Sequence, residues 1–521
     1  MKFLKLAACI TSASLLIACG GSGSSSNSSD KTSTADIEKA QLVLNTNADI
    51  AYAAYTDSVN TAKELQAALL AFKIEASKAT GDRDDAAAEN LLVAAKKAWL
   101  VSREPYGQTE VYRFRNSPID STNYADENGP EGDINAWPLG EALIDYVQIN
   151  SSDFDTDKVG VENNSAGINA NADGIAGDDS IDEDPNAVDD NGGPIDGSNV
   201  SQNIIATTTI DITPALFAEA ANDDRAVLAG YHAIEFLLWG QDLNDTGLPT
   251  IGTDREDAVK TEAVKTATAP VNPFAQGGQR PLDDFTINAN ADRRHQYLEV
   301  VVAKLIADLQ QVQAGWAKGD ATNYRAQFTS IKNEADANNK LAEILTGMGT
   351  LSEGELSGER IQQAFFKNSQ EDEHSCFSDN THRDIWLNAE GVSNSFNGTY
   401  AGYDSDLDGI DDVTTNAITN GYGINDYLAY KGLNNISAQI ATALNTTKNS
   451  YSAIDESARM GKPFDVLIQT KDSDGIVATT ITSLSGQARL IQEAATQLGL
   501  GEVVDPEAST CNTQDPTSAC E

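Results

Sequence analysis

Apolar side chains recur at helical spacing along most of this chain, and no other feature narrows its fold so far. Between residues 35 and 78 an Ala-rich stretch carries Ile37, Val43, Leu44, Ala51, Ala54, Val59, Leu65, Leu69 and Phe72 at that spacing. Thr80-Gly81-Asp82 breaks the run. A second helix is expected from near Asp84, past Trp99, toward Arg113. Pro105 should mark a kink or a restart in it, because proline brings no N–H to the helical ladder. The same pattern predicts helices over 214–241, 292–317, 322–346, 357–375, 423–449 and 484–498, while strand signals are scarce. Long helices joined by loops define an all-α chain built of helical bundles.

The N-terminus sets the compartment. Lys2 and Lys5 precede an apolar run from Leu6 to Ala18. That run is shorter than the ~20 residues of a membrane-spanning helix and suits a signal-peptide core. Leu16-Ile17-Ala18-Cys19 matches a lipobox, so Cys19 is the expected lipid-bearing N-terminus of an exported chain. Gly20 stands where an inner-membrane retention signal would place Asp, which points to the outer membrane. Residues 20–33 are nearly all Gly, Ser, Asn and Thr and read as a flexible spacer. The remaining body is longer than one domain of ~100–200 residues, so two are expected.

Charge is lopsided, with 79 acidic against 35 basic residues and a formal net charge of −44. Such a body repels nucleic acid and anionic lipid and suits cations, at sites or as a loose atmosphere; solubility in a salty habitat accounts for it equally well. Residues 151–200 hold 13 acids and one Lys, around Asn169-x-Asn171-x-Asp173-Gly174 and Asp178-Asp179. Residues 404–412 read Asp404-x-Asp406-x-Asp408-Gly409-x-Asp411-Asp412. Alternating oxygen side chains before a Gly wrap a loop around calcium, a hard cation that takes six to eight oxygens. Neither loop has the Glu that closes an EF-hand, so short calcium loops are expected, with a solvated acidic loop as the alternative. In the polar tail, Cys511 and Cys520 are able to pair in an oxidising compartment, with Cys376 either left over or competing for one of them.

The four histidines mark the chemistry. In Gly230-Tyr-His232-Ala-Ile-Glu235, the His and Glu share a helix face that runs from Leu228 to Trp239. A carboxylate on a packing face needs a partner or a metal, and a spacing of three lets imidazole and carboxylate converge. A buried His–Glu hydrogen bond without metal is the alternative. Trp99, Arg103, Tyr106, Glu110 and Arg113 form a second polar stripe, in which Arg103 is placed to hold Glu110 or a bound carboxylate. A third cluster contains Glu355, Glu359, Arg360, Glu371, His374, Asp379 and His382, rich in metal-donor groups. His295, among Arg293 and Arg294, reads as structural.

At these residues the chain resembles the imelysin family, in the branch called iron-regulated protein A. Gly230-Tyr-His232-Ala-Ile-Glu235 is similar to that family's GxHxxE motif. The stretch Arg103 to Phe114, Asn135-Ala-Trp137-Pro-Leu, Gly278-Gln-Arg280-Pro281, Gly358-Glu359-Arg360 and Glu371 to His382 are similar to its other blocks. The resemblance implies two helical-bundle halves related by pseudo-symmetry, with a site between them. The halves are expected over 34–265, with an acidic insertion at 151–200, and over 266–505, followed by a polar tail 506–521. It implies an iron-linked envelope protein in which His232 and Glu235 bind metal, with Glu110 the next candidate and Arg103, Tyr106, Arg113, Glu359, Arg360, Glu371, His374, Asp379 and His382 lining the site. Iron is the implied metal, and a zinc metallopeptidase is the alternative. The implied partners are a membrane, through the lipid, and an envelope iron-transport component.

Overall fold

The first periodic stretch folds as one helix, α1 (Thr34–Ala76), and buries Leu44, Ala51, Tyr55, Ala62, Leu65 and Phe72. In the computed structural model the described residues are 34–147 apart from 127 and 138, 163–164, 167–168, 203–220, 227–243, 270–272, 276–504 apart from 371 and 472–474, and 510–520. Cys19, the spacer, the acidic loop with Asn169, Asn171, Asp173 and Asp178, and Glu371 lie outside them.

Helix α2 (Asp85–Gly107) starts where Asp84 accepts a hydrogen bond from the Ala87 N–H at 3.1 Å, a side-chain cap. Pro105 does not restart the helix. It sits in the last turn, and α2 ends two residues later. Glu110–Tyr112 then forms a separate 3-10 turn, so Glu110 leaves the stripe that Trp99, Arg103 and Tyr106 share.

The expected helix 214–241 is two pieces among the described residues, Pro214–Ala220 and α3 (Gly230–Trp239). Gly230 opens α3 at φ +82°, and a Cβ there would lie 2.4 Å from the Ile134 carbonyl oxygen. The glycine of GxHxxE thus supplies both a left-handed backbone and room for a neighbouring strand of chain.

Helices α4 (Ala291–Gly315) and α5 (Glu334–Thr350) follow, and α5 runs straight into a π-helix, Leu351–Gln362. The expected helix 357–375 stops at Lys367, with Asn368 left-handed at φ +52°, and residues 372–380 of the donor-rich block form a chain of turns. Three long helices complete the body: α6 (Thr381–Asn397), α7 (Asn434–Arg459) and α8 (Ile476–Leu498).

Helix α1 packs on α2 and α4, and α3 on α2 and α4. Helix α4 therefore lies with the first bundle, although it follows the expected boundary at 265. The π-helix, α6, α7 and α8 pack on one another around Leu356, Ile361, Phe365, Ile385, Ile454 and Ile481. Helix α5 touches both α1 and α8 and ties the two groups together.

Helices α2 and α6 approach closely where Gly391 faces the end of α2. A Cβ on Gly391 would fall 2.4 Å from the Gln108 carbonyl oxygen. That approach carries Arg103 and Glu104 of α2 to Asp384 and Arg383 of α6.

The loop 404–411 is the turn of a hairpin, β1 (Tyr400–Tyr403) and β2 (Asp412–Ile418), antiparallel with a bulge after Tyr400. Tyr400 and Thr414 anchor it by donating to the Asp57 carboxylate of α1 at 2.9 and 3.0 Å. Cys511 and Cys520 form a disulfide, and Cys376 stays a buried thiol. The tail is held on the π-helix by Gln362, which donates to the carbonyls of Asn512 and Asp515 at 3.1 and 3.2 Å. No helix among the described residues is long and apolar enough to cross a membrane.

Candidate functional site

Helix α3 places His232 and Glu235 one turn apart, fully buried, with His232 Nδ1 and Glu235 Oε2 at 2.9 Å. The other Glu235 oxygen accepts from the Ser378 N–H at 2.9 Å and the Ser378 hydroxyl at 2.7 Å. His232 Nε2 is buried and has no hydrogen-bond partner. With Oε1 filled by two donors, Oε2 is the oxygen that meets the ring. Ionised, Glu235 accepts from an Nδ1–H tautomer and leaves Nε2 a bare lone pair; protonated on Oε2, it donates to Nδ1 and the ring proton sits on Nε2 instead.

The turns after the π-helix bring His374 against this pair. The two imidazole rings stand edge to face, with centroids 4.7 Å apart. His374 Nδ1 lies 2.7 Å from Asp384 Oδ2, at the start of α6, and Trp137 covers the ring edge-on at 5.4 Å. Asp384 Oδ2 also accepts from the Ser375 hydroxyl, and Asp384 Oδ1 accepts from Arg103 Nη2 at 2.8 Å. Arg103 therefore does not hold Glu110, because α2 ends before Glu110 is reached. Its guanidinium stacks over Tyr231 and Tyr106, at 4.8 and 5.5 Å from the ring centroids.

Glu110 meets arginines from elsewhere. Arg113 and Arg360 each lie 3.2 Å from its Oε2, and Asn135 Nδ2 donates to Oε1 at 3.3 Å. The π-helix supplies Arg360 together with Glu355; these two residues, five apart, meet at 2.9 Å on one π-helical turn. Arg113 also reaches Glu131 at 3.3 Å and Glu355 at 3.6 Å. Asn135 links the parts of the site. It accepts from Arg103, and its Nδ2 lies 3.4 Å from His374 Nε2.

Not every expected lining residue arrives. Asp379, left-handed at φ 59°, accepts from the Gly277 N–H at 2.8 Å. His382 turns to Asp455 of α7 at 2.8 Å, and Glu359 faces the backbone of Thr510 in the tail. His295 packs between Phe72 and Phe285, as a structural residue should. His232, Glu235 and Glu110 are not within 4.8 Å of one another as a set. Among the described residues the one group of three donors that is so close is Asp404, Asp406 and Asp408. There the Asp408 and Gly409 N–H groups donate to the Asp404 carboxylate, and Arg459 approaches it at 3.8 Å. Asp411 turns to Glu390, and Asp412 accepts from Ser405.

Sequence reading missed Asp384, Asn135 as a bridge, Ser375 and Ser378. Asp384 lies ten residues beyond His374 with no helical register between them; the one visible signal is a charged Arg383-Asp384 pair at the start of a helix.

Charge explains the protonation pattern. Among the described residues, Glu110, Glu131, Glu355 and Asp120 all face Arg113, so carboxyl groups outnumber guanidiniums around the site. Burial opposes ionisation of Asp384 and Glu110, but Arg103 outweighs it for Asp384, and Arg360 with Arg113 outweigh it for Glu110, so both stay below the usual carboxylate range. Burial pushes Glu131 up to about 7 and Glu235 up to about 8. Burial also lowers His232 to about 3 and His374 well below its ordinary value, so both rings are neutral.

The Imelysin model (peptidase M75) matches residues 51–491, and the chain belongs to the imelysin family. Among solved structures it is similar to a putative iron-regulated protein A precursor from Parabacteroides distasonis ATCC 8503, at 15% identity and a TM-score of 0.51. That similarity covers 90% of this chain and 97% of the other. Among curated proteins, none matches. The shared fold is all-α and imelysin-like, as the periodicity and the motifs predict.

A carboxyl group whose folded pKa is raised stabilises the fold fully below its ordinary value, here 4.5, and that contribution is lost as pH rises through the folded value. Metal-free protein should therefore lose thermal stability from about pH 5 to about pH 8. Glu235→Gln, neutral at every pH, should flatten that decline in unfolding scans. An unchanged slope would remove Glu235 as its source.

Proposed function

We propose that this chain is an exported, lipid-anchored protein that binds iron between its two groups of helices, as cargo in iron uptake or handling. One observation carries the reading: a neutral, fully buried imidazole whose Nδ1 is engaged by a carboxylate and whose Nε2 meets nothing. Burying a polar nitrogen without a partner costs ~1–3 kcal/mol, so a fold that keeps one is arranged for something to meet it. Imidazole with carboxylates nearby suits iron as well as zinc.

The protons that Glu131 and Glu235 hold near neutral pH would leave as a cation entered. The similar solved structure is described as an iron-regulated protein A precursor, which favours iron over zinc. The Cys19 lipid would hold the body at the envelope, and the spacer 20–33 would let it reach a membrane transport partner. The peptidase alternative asks for a carboxylate available as a base. Glu110 and Glu235, two of the carboxyls in the described site, each already accept from two or more groups.

Ferrous iron titrated anaerobically into the purified chain should bind at one equivalent, and His232→Ala should abolish it. Unchanged binding in His232→Ala would remove this site. Cells fed radiolabelled palmitate should label the wild-type chain and not Cys19→Ser; label retained in the variant would contradict the anchor.

A further inference from the structure

We infer that His374 is the second metal ligand, and that Glu235 and Asp384 are positioning residues that each fix one imidazole rather than ligands themselves. This deepens the iron reading above and rests on it. The motif spacing assigns the metal to His232 and Glu235, but the contacts divide the work differently. Both oxygens of Glu235 are engaged, Oε2 by the His232 ring and Oε1 by two donors from Ser378. The same relation recurs ten residues before Asp384. Its Oδ2 holds His374 Nδ1 at 2.7 Å, and its Oδ1 is held by Arg103. A carboxylate on Nδ1 turns Nε2 into the lone pair and sets the plane of the ring, which is how metal-binding histidines are usually supported from behind.

The ring geometry fits a shared ion. An imidazole nitrogen ~2.1 Å from a metal puts its ring centroid ~3.2 Å away, so two rings ~90–110° apart about the ion have centroids ~4.6–5.3 Å apart. The rings of His232 and His374 stand 4.7 Å apart, with their planes at 79°. The bare Nε2 of His232 has no partner to lose. That of His374 has one long contact, 3.4 Å from Asn135 Nδ2, which a cation would displace at small cost because the same amide also donates to Glu110. Glu110, the other partner of the Asn135 amide, is already held by Arg113, Arg360 and Asn135.

The test uses the full mature chain. Anaerobic titration with ferrous iron compares wild type, His232→Ala, His374→Ala and Asp384→Asn, each checked for folding by circular dichroism. Either His→Ala variant should lose iron binding, and Asp384→Asn should weaken it ~10–100-fold, although no alternative assigns Asp384 as a ligand. An Asn there donates into Nδ1 and moves the ring proton onto Nε2. In metal-free wild type, nitrogen-15 imidazole spectra should show His374 as the neutral Nδ1–H tautomer.

Retained binding in His374→Ala alongside loss in His232→Ala overturns the pairing and leaves the iron reading intact. So does a proton on Nε2 of His374 in the wild type, a readout that stands even if a variant fails to fold. Wild-type protein that takes up no iron overturns the reading and this inference together.

Discussion

Asp384 is the point on which the site hangs. One buried carboxylate accepts from Arg103 across the α2–α6 contact, from Ser375, and faces the His374 ring. Removing one partner of such a buried ion pair costs ~3–5 kcal/mol, because the other charge is left in a medium that cannot solvate it. Its position therefore constrains more than its own neighbours. It requires α2 and α6 to close to within contact, which Gly391 permits, and it requires the turns 372–380 to fold back over α3. The second requirement is what brings His374 to His232.

The same interior explains why the site is polar yet closed. Arginines keep Asp384 and Glu110 ionised, and burial favours the protonated forms of Glu131 and Glu235. A cation entering this interior meets two neutral imidazoles and carboxyl groups ready to ionise. The excess of 79 acids over 35 bases along the chain would favour cations in general without selecting one. Selection has to come from the imidazoles, since soft-to-borderline donors separate transition metals from calcium and magnesium.

Much of this was legible in the sequence, and the limits have physical causes. The helices α1, α4 and α8 follow directly from apolar spacing. The spacing of His232 and Glu235 gave their contact, because one helical turn fixes it locally. The stripe through Arg103 and Tyr106 was legible as buried polar surface, but its partners were not. Pro105 and Gly107 end α2, so Glu110 turns to Arg360 of the π-helix, 250 residues away. Asp384 and Asn135 meet the histidines through turns that have no period to read. Asp404, Asp406 and Asp408 converge as their alternation predicts, whereas Asp411 and Asp412 diverge because the hairpin's second strand begins there.

The central claim is that a metal sits on the bare nitrogen of His232. Anomalous diffraction at the iron edge, from crystals grown with ferrous iron under anaerobic conditions, tests it most directly. The account predicts one strong peak at bonding distance from His232 Nε2, shared with His374 Nε2. A map whose iron peaks lie only on the acidic loop around Asp404 or on the surface, with none between the two histidines, would contradict it.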